Sequence, residues 1–192
     1  MKKILLIILS LIIFSCSSNN EPENGIILTY HNSWPIFLSE YLKAPIKEKI
    51  TYKNGVRDGE YIFYFDDGEI KEKGSYKNDL KDGEFIFWLK KESAGEWRSL
   101  EKKVTYKNGV RDGEYISYIK YDKIKEKGSY KNGVRDGEYI SYFDNGKIKE
   151  KSIYKNDLRH GMTIIYNYRG CLKEKSFYSN GKKNGKSFVY PY

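Results

Sequence analysis

The chain has 192 residues and a formal net charge of +9; it is 39% hydrophobic and 32% charged, with 19 tyrosines, 17 glycines, four prolines and two cysteines. So much tyrosine and so little proline exclude a helical bundle and point to strands, because flat amphipathic rings pack well on a pleated, half-buried surface. The basic charge is spread, not clustered: residues 130–153 set Lys131, Arg135, Lys147, Lys149 and Lys151 against Asp136, Glu138, Asp144 and Glu150, which argues against a nucleic-acid partner.

The chain opens with "MKKILLIILSLIIFSCSSNN". A basic start, a short apolar run from Ile4 to Phe14 and a small-residue end have the layout of an export signal, and the run is shorter than the roughly 20 residues a membrane span needs. The junction Ile13-Phe14-Ser15-Cys16 resembles the lipobox of bacterial lipoproteins, with Phe14 bulkier than usual. That resemblance implies a signal peptide over 1–15, diacylglycerol on Cys16, a flexible tether over 16–27, and anchoring to the cell envelope, at the outer rather than the inner membrane. Several acyl chains hold a protein stably where one does not. Cys171 then has no disulfide partner and reads as a tolerated free thiol.

Residues 28–51 read as a degenerate first repeat or cap, in which "WPIFLSEYLKAP" supplies the first strand. From 52 onward the sequence repeats. A tyrosine followed by Lys-Asn or Ser-Asn recurs at Tyr52, Tyr76, Tyr106, Tyr130, Tyr154 and Tyr178, every 24 residues except across a six-residue insertion within "KKESAGEWRS". The units are 52–75, 76–105 with the insertion, 106–129, 130–153, 154–177 and a partial 178–192. "YKNGVRDGEYISY" is spelled twice, at 106–118 and 130–142, and nearly so at 52–64.

Each unit reads as strand, tight turn, strand, loop. "EYISYF" is aromatic and β-branched, "DNG" is a hairpin signal, "KIKEKSIY" alternates with period two, and "KNDLRHG" is a second loop. The expected fold is all-β: an elongated single-layer antiparallel β-meander of repeated hairpins with eleven or twelve strands. Ile62, Ile86, Ile116, Ile140 and Ile164 are expected to stack as one ladder and Tyr64, Trp88, Tyr118, Tyr142, Tyr166 and Tyr190 as another. Lysines such as Lys149 and Lys151 should take one face, and glutamates such as Glu150 the other. The insertion has an even number of residues and so preserves facing.

The motif Y-K-N-G-x-x-x-G-x-Y/W-x-x-Y-x-x-x-G at this period resembles the MORN repeat variant, of the type grouped with YwqK-family antitoxins, over about residues 46–192. Its glycines match at Gly59, Gly83, Gly113, Gly137, Gly161 and Gly185. Asp122 at a turn glycine, Thr163 at an aromatic position and the insertion depart from it. The resemblance implies a twisted meander that serves as a scaffold or binding surface.

Enzymatic signatures are absent from the sequence. "GKKNGKS" at 181–187 is one residue short of a phosphate loop, and His31 and His160 lack metal-ligand spacing. No catalytic residue, metal or cofactor is expected. The function expected is a non-enzymatic, membrane-anchored binding scaffold for a protein or glycan, without nucleic acid. An antitoxin- or immunity-like role and a scaffold resting on membrane lipid are the alternatives. Candidate exposed binding residues are Tyr61, Phe85, Tyr115, Tyr139 and, on the insertion, Trp97.

Overall fold

The computed structural model describes residues 23–30, 45–90, 99–185 and 187–190. Cys16, Trp97, His31 and most of "WPIFLSEYLKAP" lie outside the described residues. Within them the chain forms one antiparallel sheet of sixteen strand segments. These are β1 (Asn24–Tyr30), β2 (Ile46–Lys53), β3 (Val56–Tyr64), β4 (Ile70–Lys77), β5 (Leu80–Lys81), β6 (Gly83–Trp88), β7 (Leu100–Lys107) and β8 (Val110–Ile119). There follow β9 (Lys123–Lys131), β10 (Val134–Tyr142), β11 (Ile148–Lys155), β12 (Leu158–Arg159), β13 (Gly161–Tyr166), β14 (Leu172–Ser179), β15 (Lys182–Lys183) and β16 (Phe188–Val189). The all-β single-layer meander is therefore the observed fold. Neighbours in the sheet are neighbours in sequence, as in a structure that grows one repeat at a time.

Thirteen strands lie on the main path, against the eleven or twelve expected, and thirteen rungs run roughly 58 Å at the usual strand spacing. Part of the difference lies at the start. Residues 24–27, read from sequence as the end of a tether, form the first half of β1, which pairs with β2 from Asn24↔Lys53 to Tyr30↔Ile46.

The turns are distributed differently from the sequence expectation. "KNG" was expected inside a long loop, but Asn132 and Gly133 both have positive φ, 50° and 87°, and Lys131 pairs directly with Val134. This is a two-residue hairpin turn whose twist suits the flanking strands. The same geometry recurs at Asn54, Asn78, Asn108, Asn156 and Asn180, each with φ near 50°. The strand therefore restarts at once, and "VRDGEYISY" lies wholly in β10. The "L-K-D-G" and "L-R-H-G" copies break the rung instead, into β5 and β6 and into β12 and β13. At the opposite ends of the strands, "DDG", "DNG" and "YRG" close longer turns. There Phe143 N–H donates to Lys147 O at 2.8 Å, and Asn145 Oδ1 accepts from Lys147 N–H at 3.0 Å. Without a glycine, the turn at Tyr121 and Asp122 still takes positive φ, 63° and 54°.

The Asn turns are joined to one another. Asp79 N–H donates to Arg57 O, Gly109 N–H to Lys81 O, Gly133 N–H to Arg111 O, Asp157 N–H to Arg135 O and Gly181 N–H to Arg159 O, all at 2.8–2.9 Å. One edge of the array is thus sewn repeat to repeat by backbone hydrogen bonds.

The core of a single sheet has to lie within its own faces. Residues directly opposite on paired strands share a face, so the register sorts the side chains. Of the ten residues buried among those described, Tyr52, Phe85, Val104, Ser117, Ser152, Tyr154, Thr163 and Ser176 lie on one face, and Ile62 and Ile140 on the other. We call the first the aromatic face. Its middle row runs through large and small residues: Ile50↔Tyr61↔Gly74, Phe85↔Val104↔Tyr115↔Gly128↔Tyr139↔Ser152, and Thr163↔Ser176. Rings lie sideways over the small positions. Phe85 is fully buried because it covers Gly74, where an added Cβ would meet its ring at 2.5 Å. Glycine usually weakens a strand interior; here it makes the room that the ring fills.

Candidate binding surface

The opposite face carries a single continuous row that alternates charge and hydrocarbon. Cross-strand pairs link Leu28, Lys49, Ile62, Lys73, Ile86, Lys103, Ile116, Lys127, Ile140, Lys151, Ile164, Lys175 and Phe188 in that order. The isoleucine ladder expected from the sequence therefore does not stack on itself, because a lysine stem stands between each pair. Long lysine stems can cover apolar neighbours while the ammonium stays in water. The tyrosine ladder is likewise interleaved, as Tyr64↔Ile70, Trp88↔Leu100, Tyr118↔Ile124, Tyr142↔Ile148 and Tyr166↔Leu172. We call this the lysine face.

The expectation that all repeat lysines share one face is corrected. Between Ser141↔Glu150 and Tyr142↔Ile148 the register shifts, which leaves Lys149 as an extra residue in a bulge. The same shift occurs at Lys71. Lys71 Nζ stands 5.3 Å from the centroid of Phe63, which pairs with Glu72. Lys71 thus reaches the side that carries Glu72, while Lys73 stays on the lysine face. A bulge re-aims a side chain in this way, and period-two counting passes over it. The six-residue insertion leaves the facing intact, since Phe85↔Val104 and Ile86↔Lys103 continue both rows.

On the aromatic face the structure brings four of the sequence candidates into one row. Tyr61, Tyr115 and Tyr139 are half-buried, but Phe85 is fully buried and is a core residue, not an exposed contact. The rings pack edge to face: Tyr61 with Tyr76 at 5.3 Å, Phe85 with Tyr106 at 5.3 Å, Tyr115 with Tyr130 at 5.8 Å and Tyr139 with Tyr154 at 5.6 Å. Such pairs add about 0.5–1.5 kcal/mol each beyond the area they bury. Thr163, where an aromatic was expected, is buried and hydrogen-bonds Ser152 Oγ at 3.1 Å. The repeat glycines Gly59, Gly83, Gly113, Gly137, Gly161 and Gly185 all have positive φ, which a side chain would strain.

Beside the ring row runs a row of carboxylates that sequence reasoning left unassigned to a site: Glu48, Glu72, Glu126, Glu150 and Glu174, with Lys102 standing in for one. Three of them hold a cation nine residues further on. Glu72 binds Lys81 Nζ at 2.6 Å, Glu150 binds Arg159 at 2.7 Å and Glu174 binds Lys183 Nζ at 2.7 Å. Glu48 and Glu126 differ. The cation nine residues on is turned away in both: Arg57 is stacked on the Tyr76 ring at 4.4 Å and bound to Asp79 at 3.0 Å, and Arg135 is stacked on the Tyr154 ring at 4.2 Å and bound to Asp157 at 3.1 Å. Glu126 instead accepts hydrogen bonds from Tyr139 Oη at 2.7 Å and Tyr115 Oη at 3.3 Å.

These residues line a cleft of about 160 Å³ over Gly128. An added Cβ at Gly128 would meet Glu138 O at 3.3 Å and the Tyr139 ring at 3.5 Å. The room that Phe85 fills over Gly74 is therefore only partly filled here. Burial, followed by the hydrogen bond to the Glu126 carboxylate, pushes the Tyr139 hydroxyl pKa well above the ordinary tyrosine value. Burial also raises that of Tyr115. Both hydroxyls therefore stay protonated as donors at neutral pH.

No local word marks Glu126: "KEKG" at 125–128 recurs at 71–74, where Glu72 does hold its cation, Lys81. Among the described residues no group of three His, Cys, Asp or Glu side chains is arranged to hold a metal ion. Residues 57–78 and 135–156 match the model of the MORN repeat variant family. Each match spans a hairpin and runs from Arg57 or Arg135 to the turn asparagine or one residue beyond the strand end. MORN repeats are generally found in binding and scaffold proteins. No curated protein matches the chain.

Proposed function

We propose that the protein is a non-enzymatic repeat lipoprotein, anchored through acyl chains on Cys16 and acting as a binding scaffold for a protein partner at the bacterial cell envelope. The observation that carries this reading is the aromatic face with its cleft over Gly128, among the described residues an ordered surface of rings and carboxylates that no second layer covers. Edge-to-face rings held by their neighbours present a rigid contact surface, so little ordering entropy is lost when a partner docks. The sewn Asn turns keep successive repeats in register, which suits a scaffold more than a flexible tether.

The test is capture from native envelopes with the lipidated protein as bait. A partner retained by the wild type, and lost when Tyr61, Tyr115 and Tyr139 are together changed to serine in a chain that keeps its β circular dichroism, supports the reading. Capture that is indifferent to these changes counts against the aromatic face.

A second reading has its own observation, the six lysines spaced along the opposite face. Such a row could rest on anionic headgroups, where each lysine near the surface contributes about 1 kcal/mol. High salt separates the two readings, since it screens headgroup attraction strongly and an aromatic contact weakly. Vesicle binding by the Cys16→Ala chain that survives high salt would count against the lysine-face reading.

A further inference from the structure

Glu48 and Glu126 are the carboxylates of the row whose cation nine residues on is committed elsewhere, Arg57 to Asp79 and Arg135 to Asp157, and Glu126 lines a cleft. Glu72, Glu150 and Glu174 each bind the side chain nine residues on, whereas Arg135 is held by Asp157 through its backbone N–H and its Nε–H, at 3.0 and 3.1 Å. The cleft walls are aromatic, formed by Tyr115, Tyr139 and Tyr154, and its floor is Gly128. We propose that this cleft takes a primary ammonium group presented by a lysine side chain of the partner, which occupies the place that Lys81, Arg159 and Lys183 fill on Glu72, Glu150 and Glu174. The inference rests on the binding-scaffold reading and names its partner chemistry.

Three physical features point to a cation and not to an anion or an apolar ligand. A carboxylate that accepts from two tyrosine hydroxyls still has lone pairs to offer, since each of its oxygens can take more than one donor. Ring faces attract cations through their quadrupole. The volume, about 160 Å³, is roughly five water volumes, enough for an ammonium and its last methylenes and too small for a folded element. Arg135 also lines the cleft, but its charge is matched by Asp157.

The experiment titrates the full chain in detergent micelles with Nα-acetyl-lysine methylamide, followed by the ring resonances of Tyr115 and Tyr139. The neutral analogue Nα-acetyl-norleucine methylamide and the free polyamine spermidine are run alongside. Saturable shifts with the lysine probe, at least tenfold weaker with the norleucine probe and in Glu126→Gln, are expected. Gly128→Ala should also weaken the lysine probe by filling the floor. Equal responses to lysine and norleucine, or full binding by a folded Glu126→Gln chain, would overturn the proposal. Spermidine binding without lysine-probe binding would overturn the assignment to a side chain. If Glu126→Gln captures the envelope partner as well as the wild type does, this inference fails while the scaffold reading stands; if no partner is captured by either while the lysine probe still binds at Glu126, the reverse holds.

Discussion

Arg135, at the start of β10, and Asp157, in the next Asn turn, lie 22 residues apart and are joined four times: Arg135 N–H and Nε–H to Asp157 Oδ1 at 3.0 and 3.1 Å, a guanidinium N–H to Asp157 O at 3.5 Å, and Asp157 N–H to Arg135 O at 2.9 Å. Arg57 and Asp79 repeat the arrangement at 2.9, 3.0 and 3.1 Å. The lock forms where a "VRDG" unit is followed by an "ND" turn, so the identity of one turn residue sets the orientation of the preceding arginine. That orientation in turn decides whether the carboxylate behind it, Glu126, keeps a cation.

The lock should show in the pH dependence of stability. Hydrogen bonds from the Arg135 backbone and guanidinium hold Asp157 below the usual carboxylate value, and Asp79 is lowered in the same way by Arg57. A lowered native pKa favours folding above the unfolded-state value, about 3.9, and that contribution is lost as pH falls through the lowered native value. Thermal melts of the wild type should therefore lose midpoint below about pH 4 relative to Asp157→Asn, which lacks the titrating group. Parallel curves for the two chains over that window would refute the lock.

The high side of the pH range tests the Tyr139–Glu126 contact. Burial and then the carboxylate raise the Tyr139 pKa, so the folded chain holds its phenolic proton above pH 10, where the unfolded chain releases it. Stability should fall as pH rises past that value. In an ultraviolet titration Glu126→Gln should bring the Tyr139 transition to lower pH, leaving a smaller upward displacement caused by burial. No change in that titration would mean that the hydrogen bond is absent in solution.

Phe85 is the most demanding position on the aromatic face. It is fully buried against Gly74, Tyr76 and Tyr106. Phe85→Ala should cost about 3–5 kcal/mol by denaturant unfolding, through lost transfer energy and the space left behind. A loss below 1 kcal/mol would show that the ring is not the core.

The two mid-strand glycines should respond unequally. At Gly74 an added methyl would stand 2.5 Å from the Phe85 ring; at Gly128 the nearest atom is 3.3 Å away. Gly74→Ala is expected to destabilise by about 1–3 kcal/mol, as overpacking does, and Gly128→Ala by distinctly less. The same pair of unfolding curves checks both, and an inverted order would mean that the Gly128 cleft is closed in solution.

Anchoring is tested by fractionation. Cys16→Ala should move the protein out of the lipoprotein fraction and abolish labelling by radioactive fatty acid, since the acyl chains would have no thiol to join. Unchanged labelling would remove the lipoprotein part of the proposed function.

Much of the fold was legible from residue pattern. A tyrosine every 24 residues and period-two alternation in "KIKEKSIY" state a repeated hairpin, because a strand with one face toward rings and the other toward water must alternate. The facing of individual lysines was not legible. Lys149 and Lys151 look equivalent in a period-two count, but the register shift at Tyr142↔Ile148 makes Lys149 the bulged residue. The Asn turn is hidden for a related reason: "KNG" inside a polar run looks like open loop, and only the pairing of Lys131 with Val134 shows that two residues suffice. Of the site, the rings were visible and the carboxylate was not, because Glu126 sits in the same word, "IKEKGSY", as Glu72, which does hold a cation.

The sequence by itself determined the repeat, its period, the β class and the ring positions, all of which follow from local alternation and turn chemistry. Tertiary structure decided which rings are covered, which lysines share a face, and which carboxylates hold the cation nine residues on. Those outcomes depend on contacts between units: Phe85 lies on Gly74 eleven residues back, and Arg135 reaches Asp157 in the next turn. Identical local words therefore end in different surroundings, since each unit's neighbours, and not its own residues, complete its packing and its charge.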